Sequence, residues 1–141
     1  MSRDKNVETV MNFIKLFEQK KFLEISDLFI EEVKLINPYH SDIFGFEIVG
    51  RREIIDMFSN IAENFSDLEF HIEEIIAFEE PTRVLAKFTG NLKFEKKSGY
   101  YENEYLFFFK FNEEGKIIET YEYFNPIKAA QAFGLLNKIC N

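Results

Sequence analysis

Apolar residues along the chain follow a helical period in the first half and an alternating period in the second. Between residues 5 and 20, Val7, Val10, Met11, Ile14 and Phe17 recur at i, i+3, i+4, i+7 and i+10, the stripe of a helix that buries one face. Asp4 stands where an N-cap would, and Lys20 and Lys21 stand at the negative end of the helix dipole. Phe22, Ile25, Leu28 and Phe29 predict a second, shorter helix over about residues 22 to 30. Val33 and Leu35, with Pro38 beyond them, alternate with Glu32, Lys34 and Ile36 and predict a short strand. Tyr39 to Gly50 reads as a loop, or a loop with a small strand, carrying His40, Asp42 and two glycines. A third helix over about 51 to 64 follows, with Ile54, Ile55, Phe58, Ile61 and Phe65 on one stripe.

From there the period is two. Leu68, Phe70 and Ile72 alternate with Glu69, His71 and Glu73, which turns His71 toward an outward or dimer-facing side. After the turn Glu80-Pro81-Thr82, Val84, Ala86, Phe88, Gly90 and Leu92 form a second alternating run. The runs Tyr100–Phe111 and Lys116–Phe124 flank Asn112-Glu113-Glu114-Gly115, polar residues ending in a glycine able to take positive φ, and predict a hairpin. In its first strand Tyr101, Asn103, Tyr105, Phe107 and Phe109 share one face, and Tyr100, Glu102, Glu104, Leu106 and Phe108 the other. Asn125-Pro126 then starts a helix with Ile127, Ala130 and Phe133 on its stripe, and Gly134 ends it.

Helices first and consecutive antiparallel strands after them predict an α+β fold: a strongly curved sheet wrapped as a cone around three N-terminal helices, with a short C-terminal helix. The open end of such a cone is a natural ligand pocket. Both faces of the hairpin are substantially apolar, and the helices cover only one. A second copy of the sheet is the economical cover for the other, which predicts a homodimer.

Composition narrows the function. A chain of 141 residues, 46% hydrophobic and 30% charged, fits one globular domain, residues 1–141. With 18 Phe and 6 Tyr but no Trp, it has large side chains to fill a core and some left to line a cavity. A net charge of −8 argues against a nucleic-acid surface and against an anionic membrane. The lone Cys140 allows no disulfide within the chain and no cysteine metal site. Together with a polar start and no apolar run near the ~18–20 residues of a membrane span, this predicts a cytoplasmic protein. Two distant histidines give no metal-ligand spacing, and there is no Ser-His-Asp pattern, G-x-S-x-G or phosphate-binding glycine loop, so neither metal nor cofactor is expected. His40 falls in a polar loop near the expected mouth of the cone.

One residue does not fit a structural core. Glu122 sits in the second hairpin strand among Tyr121, Tyr123 and Phe124. Alternation leaves two readings open, an exposed or dimer-facing acid and a pocket carboxyl. In a pocket, desolvation among aromatic rings raises its pKa, so it can donate as well as accept a proton near neutral pH.

Several segments resemble a known family. Phe65-Ser66-Asp67-Leu68-Glu69-Phe70 resembles the "FPDWEW" segment of the phenazine-biosynthesis A/B family, and Gly99-Tyr100-Tyr101-Glu102-Asn103-Glu104-Tyr105 resembles its "GYYENHF" segment. Gly115-Lys116-Ile117, Glu122-Tyr123-Phe124-Asn125-Pro126-Ile127 and Ala132-Phe133-Gly134 are similar to its "NGKIKRNREFMNPIQ…RALG". With the helix and strand order, which covers nearly the whole chain, this resembles the SnoaL-like and phenazine A/B-like branch of the nuclear transport factor 2-like superfamily. The resemblance implies that Glu122 is the acid–base group and Tyr101 a pocket tyrosine. Tyr101 also reads as a half-buried aromatic at a strand start, and Asn103, on the same face, serves either a ligand or a cross-strand contact. The ketosteroid isomerase pattern of the superfamily falls on Asn37 (base), Phe13 (tyrosine) and Phe107 (second acid). An amide cannot be that base, and phenylalanine donates no hydrogen bond, so that reaction is excluded and the three positions are expected to line the pocket. Glu104 stands where the phenazine segment has His, a departure from its substrate chemistry.

The resulting expectation is an aromatic-lined pocket for a small, cyclic ligand. Glu122 serves acid–base cyclisation, condensation or isomerisation, and Tyr101, Asn103, Phe107, Phe13 and Asn37 serve binding. The alternative is a non-catalytic module of the same fold that binds a ligand or a protein.

Overall fold

The structure, a computed structural model, describes residues 2–41 and 44–140; Asp42 in the loop lies outside the described residues. Helix α1 (Arg3–Glu18) begins one cap earlier than expected: the Ser2 side chain, not Asp4, accepts from the Lys5 N–H, and Asp4 sits in the first turn. It buries Val10, Phe13, Ile14 and Leu16, whereas Met11, at the edge of the stripe, is 48% exposed.

The second helix is shorter than its apolar spacing predicts. Helix α2 (Phe22–Ser26) stops before Leu28, and strand β1 (Phe29–Ile36) starts at Phe29. Phe29 is buried as the first inward residue of that strand. The loop after β1 contains β2 (Glu47–Val49), antiparallel to β1. Helix α3 (Arg51–Ala62) buries Ile54, Phe58 and Ala62.

The remaining strands are β3 (Phe65–Ala77), β4 (Arg83–Phe94), β5 (Tyr100–Phe111) and β6 (Ile117–Phe124). The sheet order is β2-β1-β6-β5-β4-β3, antiparallel except for the parallel β1–β6 pair. Irregular register in β3, at Phe65/Asp67 and at Ile72/Glu74, marks places where a strand bends and the sheet curves. The sheet curls round α1 and α3 without closing, and its concave side carries the core.

The β5–β6 turn shows why Gly115 ends it. Its φ is +80°, a conformation glycine takes without cost, and Asn112 Oδ1 accepts from the N–H groups of Glu114 and Lys116. Helix α4 (Pro126–Ala132) is capped by Asn125, whose Oδ1 accepts from Ile127 and Lys128. It buries Ala129 and Ala130, while Ile127 is 55% exposed, so the buried stripe is rotated from the expected one. After Gly134 the chain adds a short helix α5 (Leu136–Cys140) that the apolar pattern does not announce. No helix among the described residues is long and apolar enough to cross a membrane.

The interior differs from end to end. At one end Asn6 donates to Pro81 O at 2.8 Å and ties α1 to the β3–β4 turn, over a packed core that includes Val84, Phe109, Phe111 and Ile117. At the other end the helices and the sheet leave a cavity.

Candidate functional site

The cavity has a volume of about 390 Å³ and is walled mainly by rings: Phe13 and Phe17 from α1, Phe58 from α3, Phe70 and Phe88 from β3 and β4, and Phe107 from β5. These rings brace one another edge to face, as in Phe17–Phe58 with centroids 5.0 Å apart and Phe88–Phe107 at 5.0 Å. Ala129 and Phe133, from α4 and just beyond it, close part of the rim. Polar side chains enter the lining at four positions: Asn37, Tyr101, Tyr105 and Glu122.

Register decides where Glu122 points. Phe111 lies opposite Ile117, but the next pair is Lys110 with Glu119, so Ile118 is an extra residue in β6. That one-residue shift turns every later side chain of β6 to the other face. It sets Glu122 opposite Phe107, on the concave side, with Thr120 opposite Phe109. An unbroken ladder would have put Glu122 on the outer face.

Glu122 is 7% exposed, and its partner is the Thr120 hydroxyl, which donates to Oε2 at 3.4 Å. Burial pushes its pKa up to about 8, against a smaller lowering from Thr120. The group is therefore mostly protonated at neutral pH yet close to its midpoint, the condition for giving and taking a proton.

Of the other expected residues, Phe13, Asn37, Tyr101 and Phe107 line the cavity. The Asn37 side-chain amide donates to Gly45 O at 2.8 Å, which holds the β1–β2 loop against the opening. Asn103 does not line the cavity. Its Nδ2 donates to the Tyr101 phenol oxygen at 2.6 Å and to Asn125 O at 3.0 Å, and its Oδ1 accepts from the N–H groups of Glu104 and Asn125. It is 2% exposed, and of its two expected roles the contacts match the structural one: these bonds join the start of α4 to Tyr101.

Tyr105 carries site chemistry that the sequence reading left out. Burial raises its pKa well above the usual phenol value; Tyr101 adds to that through charge and a hydrogen bond, and the Glu122 charge adds more. Burial also raises the Tyr101 pKa, offset in part by hydrogen bonds from Asn103 and Tyr105. The signal was present, since Tyr105 shares strand parity with Tyr101 and Phe107, but parity does not say how deep a hydroxyl lies. The ring packs stacked on Phe88, 5.0 Å between centroids. Gly90 makes the space: a Cβ there would come within 3.0 Å of the Tyr105 ring and 3.1 Å of Phe70.

His71 is exposed on β3, opposite Thr89. The His40 ring packs against Phe46, 5.3 Å between centroids, and neither histidine lines the cavity. Among the described residues no cluster of three or more His, Cys, Asp and Glu is arranged to hold a metal ion.

Comparison with known proteins agrees with this architecture. The family model described as a SnoaL-like domain matches residues 10–120. A candidate isomerase from Bacillus subtilis superposes with a TM-score of 0.85 at 21% identity, covering 96% of this chain and 97% of that one. A phenazine biosynthesis-related protein from Pseudomonas aeruginosa gives 0.76 at 23% identity over 94% and 83%. The pinacolase BvnE from Penicillium brevicompactum gives 0.81 at 14% identity over the full length of both chains. No curated protein matches the sequence.

Proposed function

The chain belongs to the SnoaL-like domain family, and from that premise we propose that it binds a small cyclic molecule in the aromatic cavity and moves a proton on it with Glu122. The observation that carries this reading is a carboxyl, raised to about 8, lining a cavity walled by rings. Such a group removes a proton from a carbon beside a carbonyl and returns one at another position. The outcome is isomerisation, cyclisation or condensation, with no redox step and no cofactor. The similar folds include a candidate isomerase and a phenazine biosynthesis-related protein.

The test needs no natural substrate. Cyclic ketones and enones are screened by thermal shift, and the best binder is followed by NMR for exchange of its α-hydrogens with deuterated water. Faster exchange with the wild-type protein, lost in Glu122→Gln, supports the reading. Exchange that survives in Glu122→Gln overturns the role of Glu122, and binding without exchange favours a module that holds its ligand unchanged.

The same proposal includes a homodimer through the outer face of the sheet. Support comes from the rings of Phe78, Phe108, Tyr123 and Tyr39, which pack in a row there, with Tyr39 56% and neighbouring Leu106 40% exposed. Light scattering tests it: twice the chain mass supports pairing, and the mass of one chain refutes it.

A further inference from the structure

We infer that the ligand is an uncharged carbonyl compound whose oxygen is received at the Tyr101–Tyr105 pair, with Asn103 as the positioning residue for that pair. The inference rests on the proposed ligand-binding reading and narrows it to a chemical class. Two observations lead to it, one of charge and one of hydrogen-bond counting.

Among the described lining residues none is Lys, Arg or His. A carboxylate or phosphate ligand would lose its water and gain no cation, so its desolvation would go uncompensated. It would also meet Glu122, the one acid in the lining. An ammonium would have only Glu122 to pair with, and only after that carboxyl had lost its proton in a desolvated place. An uncharged ligand meets neither obstacle.

Counting donors then fixes the polar end. Asn103 brings an N–H to the Tyr101 oxygen at 2.6 Å, and Tyr101 and Tyr105 are joined by a hydrogen bond. The trio therefore holds three protons on two phenol oxygens: one from the amide and one from each hydroxyl. The amide proton goes to Tyr101, one phenol donates to the other, and one hydroxyl proton is left over. The carboxyl of Glu122 already has the Thr120 hydroxyl as its hydrogen-bond partner. Protonated Glu122 carries a further proton facing the same space. The cavity thus offers phenol and carboxyl donors and no cation, which matches a neutral acceptor oxygen: a ketone, enone, ester or quinone.

The support of Asn103 is rigid. Both amide atoms are engaged, twice by the backbone of Asn125 and once by that of Glu104. The direction in which Tyr101 presents its oxygen is therefore tied to the start of α4.

Four probes of one size test this by calorimetry: 1-tetralone, its hydrocarbon tetralin, 1-naphthoate, and protonated 1-aminotetralin. The expected result is tetralone binding about tenfold tighter than tetralin, the increment of one good hydrogen bond, with both ions weaker than the ketone. Tyr105→Phe and Tyr101→Phe should each reduce the tetralone advantage about threefold or more and leave tetralin unchanged. The carbonyl stretch of bound tetralone should lie lower in the wild type and shift back in these variants, a signature that a loss of packing alone does not produce. Tightest binding of naphthoate or of the ammonium overturns this inference and leaves the ligand-binding reading standing. Equal loss for tetralone and tetralin overturns the role of the tyrosines. Failure of all four probes to bind overturns both readings.

Discussion

The concave face of β5 has two halves built on the same backbone. Phe107, Phe109 and Phe111 point inward along one half, and Tyr101, Asn103 and Tyr105 along the other. The first half is largely sealed: Phe109 and Phe111 are each 1% exposed and pack with Val84 and Ile117. The second opens on the cavity, and the facing strand β6 follows the same division, from Ile117 to Glu122. A site arises here by exchanging hydrocarbon for hydroxyl and carboxyl on two neighbouring strands, with the extra residue Ile118 shifting the ladder so that Glu122 faces the same side. The sealed half supplies the stability against which the open half keeps an unfavourable carboxyl buried.

The comparison is broken most severely at the sealed end. Phe109→Ala removes a ring 5.4 Å from Phe13 and should cost about 3–5 kcal/mol in denaturant unfolding. If the loss is under about 1 kcal/mol, that end is not the source of stability.

Glu122→Gln should act in the opposite sense. An unfolded glutamate titrates near 4.5 and the folded one near 8, so between those values the folded state holds the extra proton. Wild-type stability should therefore fall as pH rises from about 4.5 to 8, by on the order of 4 kcal/mol, and then level off. The Gln variant should lack this fall and be the more stable protein at pH 8. Its proton-exchange rate should drop about 10²–10⁴-fold.

Asn103→Ala should cost about 2–3 kcal/mol, because it removes a buried amide that holds the backbone of Asn125 and Glu104 and frees the Tyr101 phenol. Thermal unfolding measures the cost, and loosening confined to α4 in hydrogen exchange would identify its source. The smallest effect is expected at Gly90→Ala, about 1–2 kcal/mol, as the new methyl presses on the rings of Tyr105 and Phe70. Ligand affinity should fall with it, since those rings wall the cavity.

Much of this was legible in the order of residues. Strict alternation in β4 and β5 gave the faces, and Asn125-Pro126 gave the start of α4. The boundary between α2 and β1 was not legible, because Phe29 satisfies both the helical stripe from Ile25 and the alternation to Val33. The direction of Glu122 was hidden for a sharper reason: the side chains around it in β6 are apolar on both faces, so alternation is silent there. One extra residue, Ile118, decides the face, and a bulge of that kind is set by how the strands pair rather than by their composition. Asn103 was placed on the correct face, but its amide is consumed by Tyr101 and Asn125, partners that only the folded chain brings together.

The central claim is that Glu122 lies in the cavity as a carboxyl that keeps its proton near neutral pH. A carbon-13 NMR titration of the glutamate side-chain carboxyls, with the Glu122 signal assigned by its absence in Glu122→Gln, measures this directly. The account predicts a midpoint near 8, well apart from the other glutamates. A midpoint near the ordinary 4.5 would mean a solvated carboxylate and would contradict it.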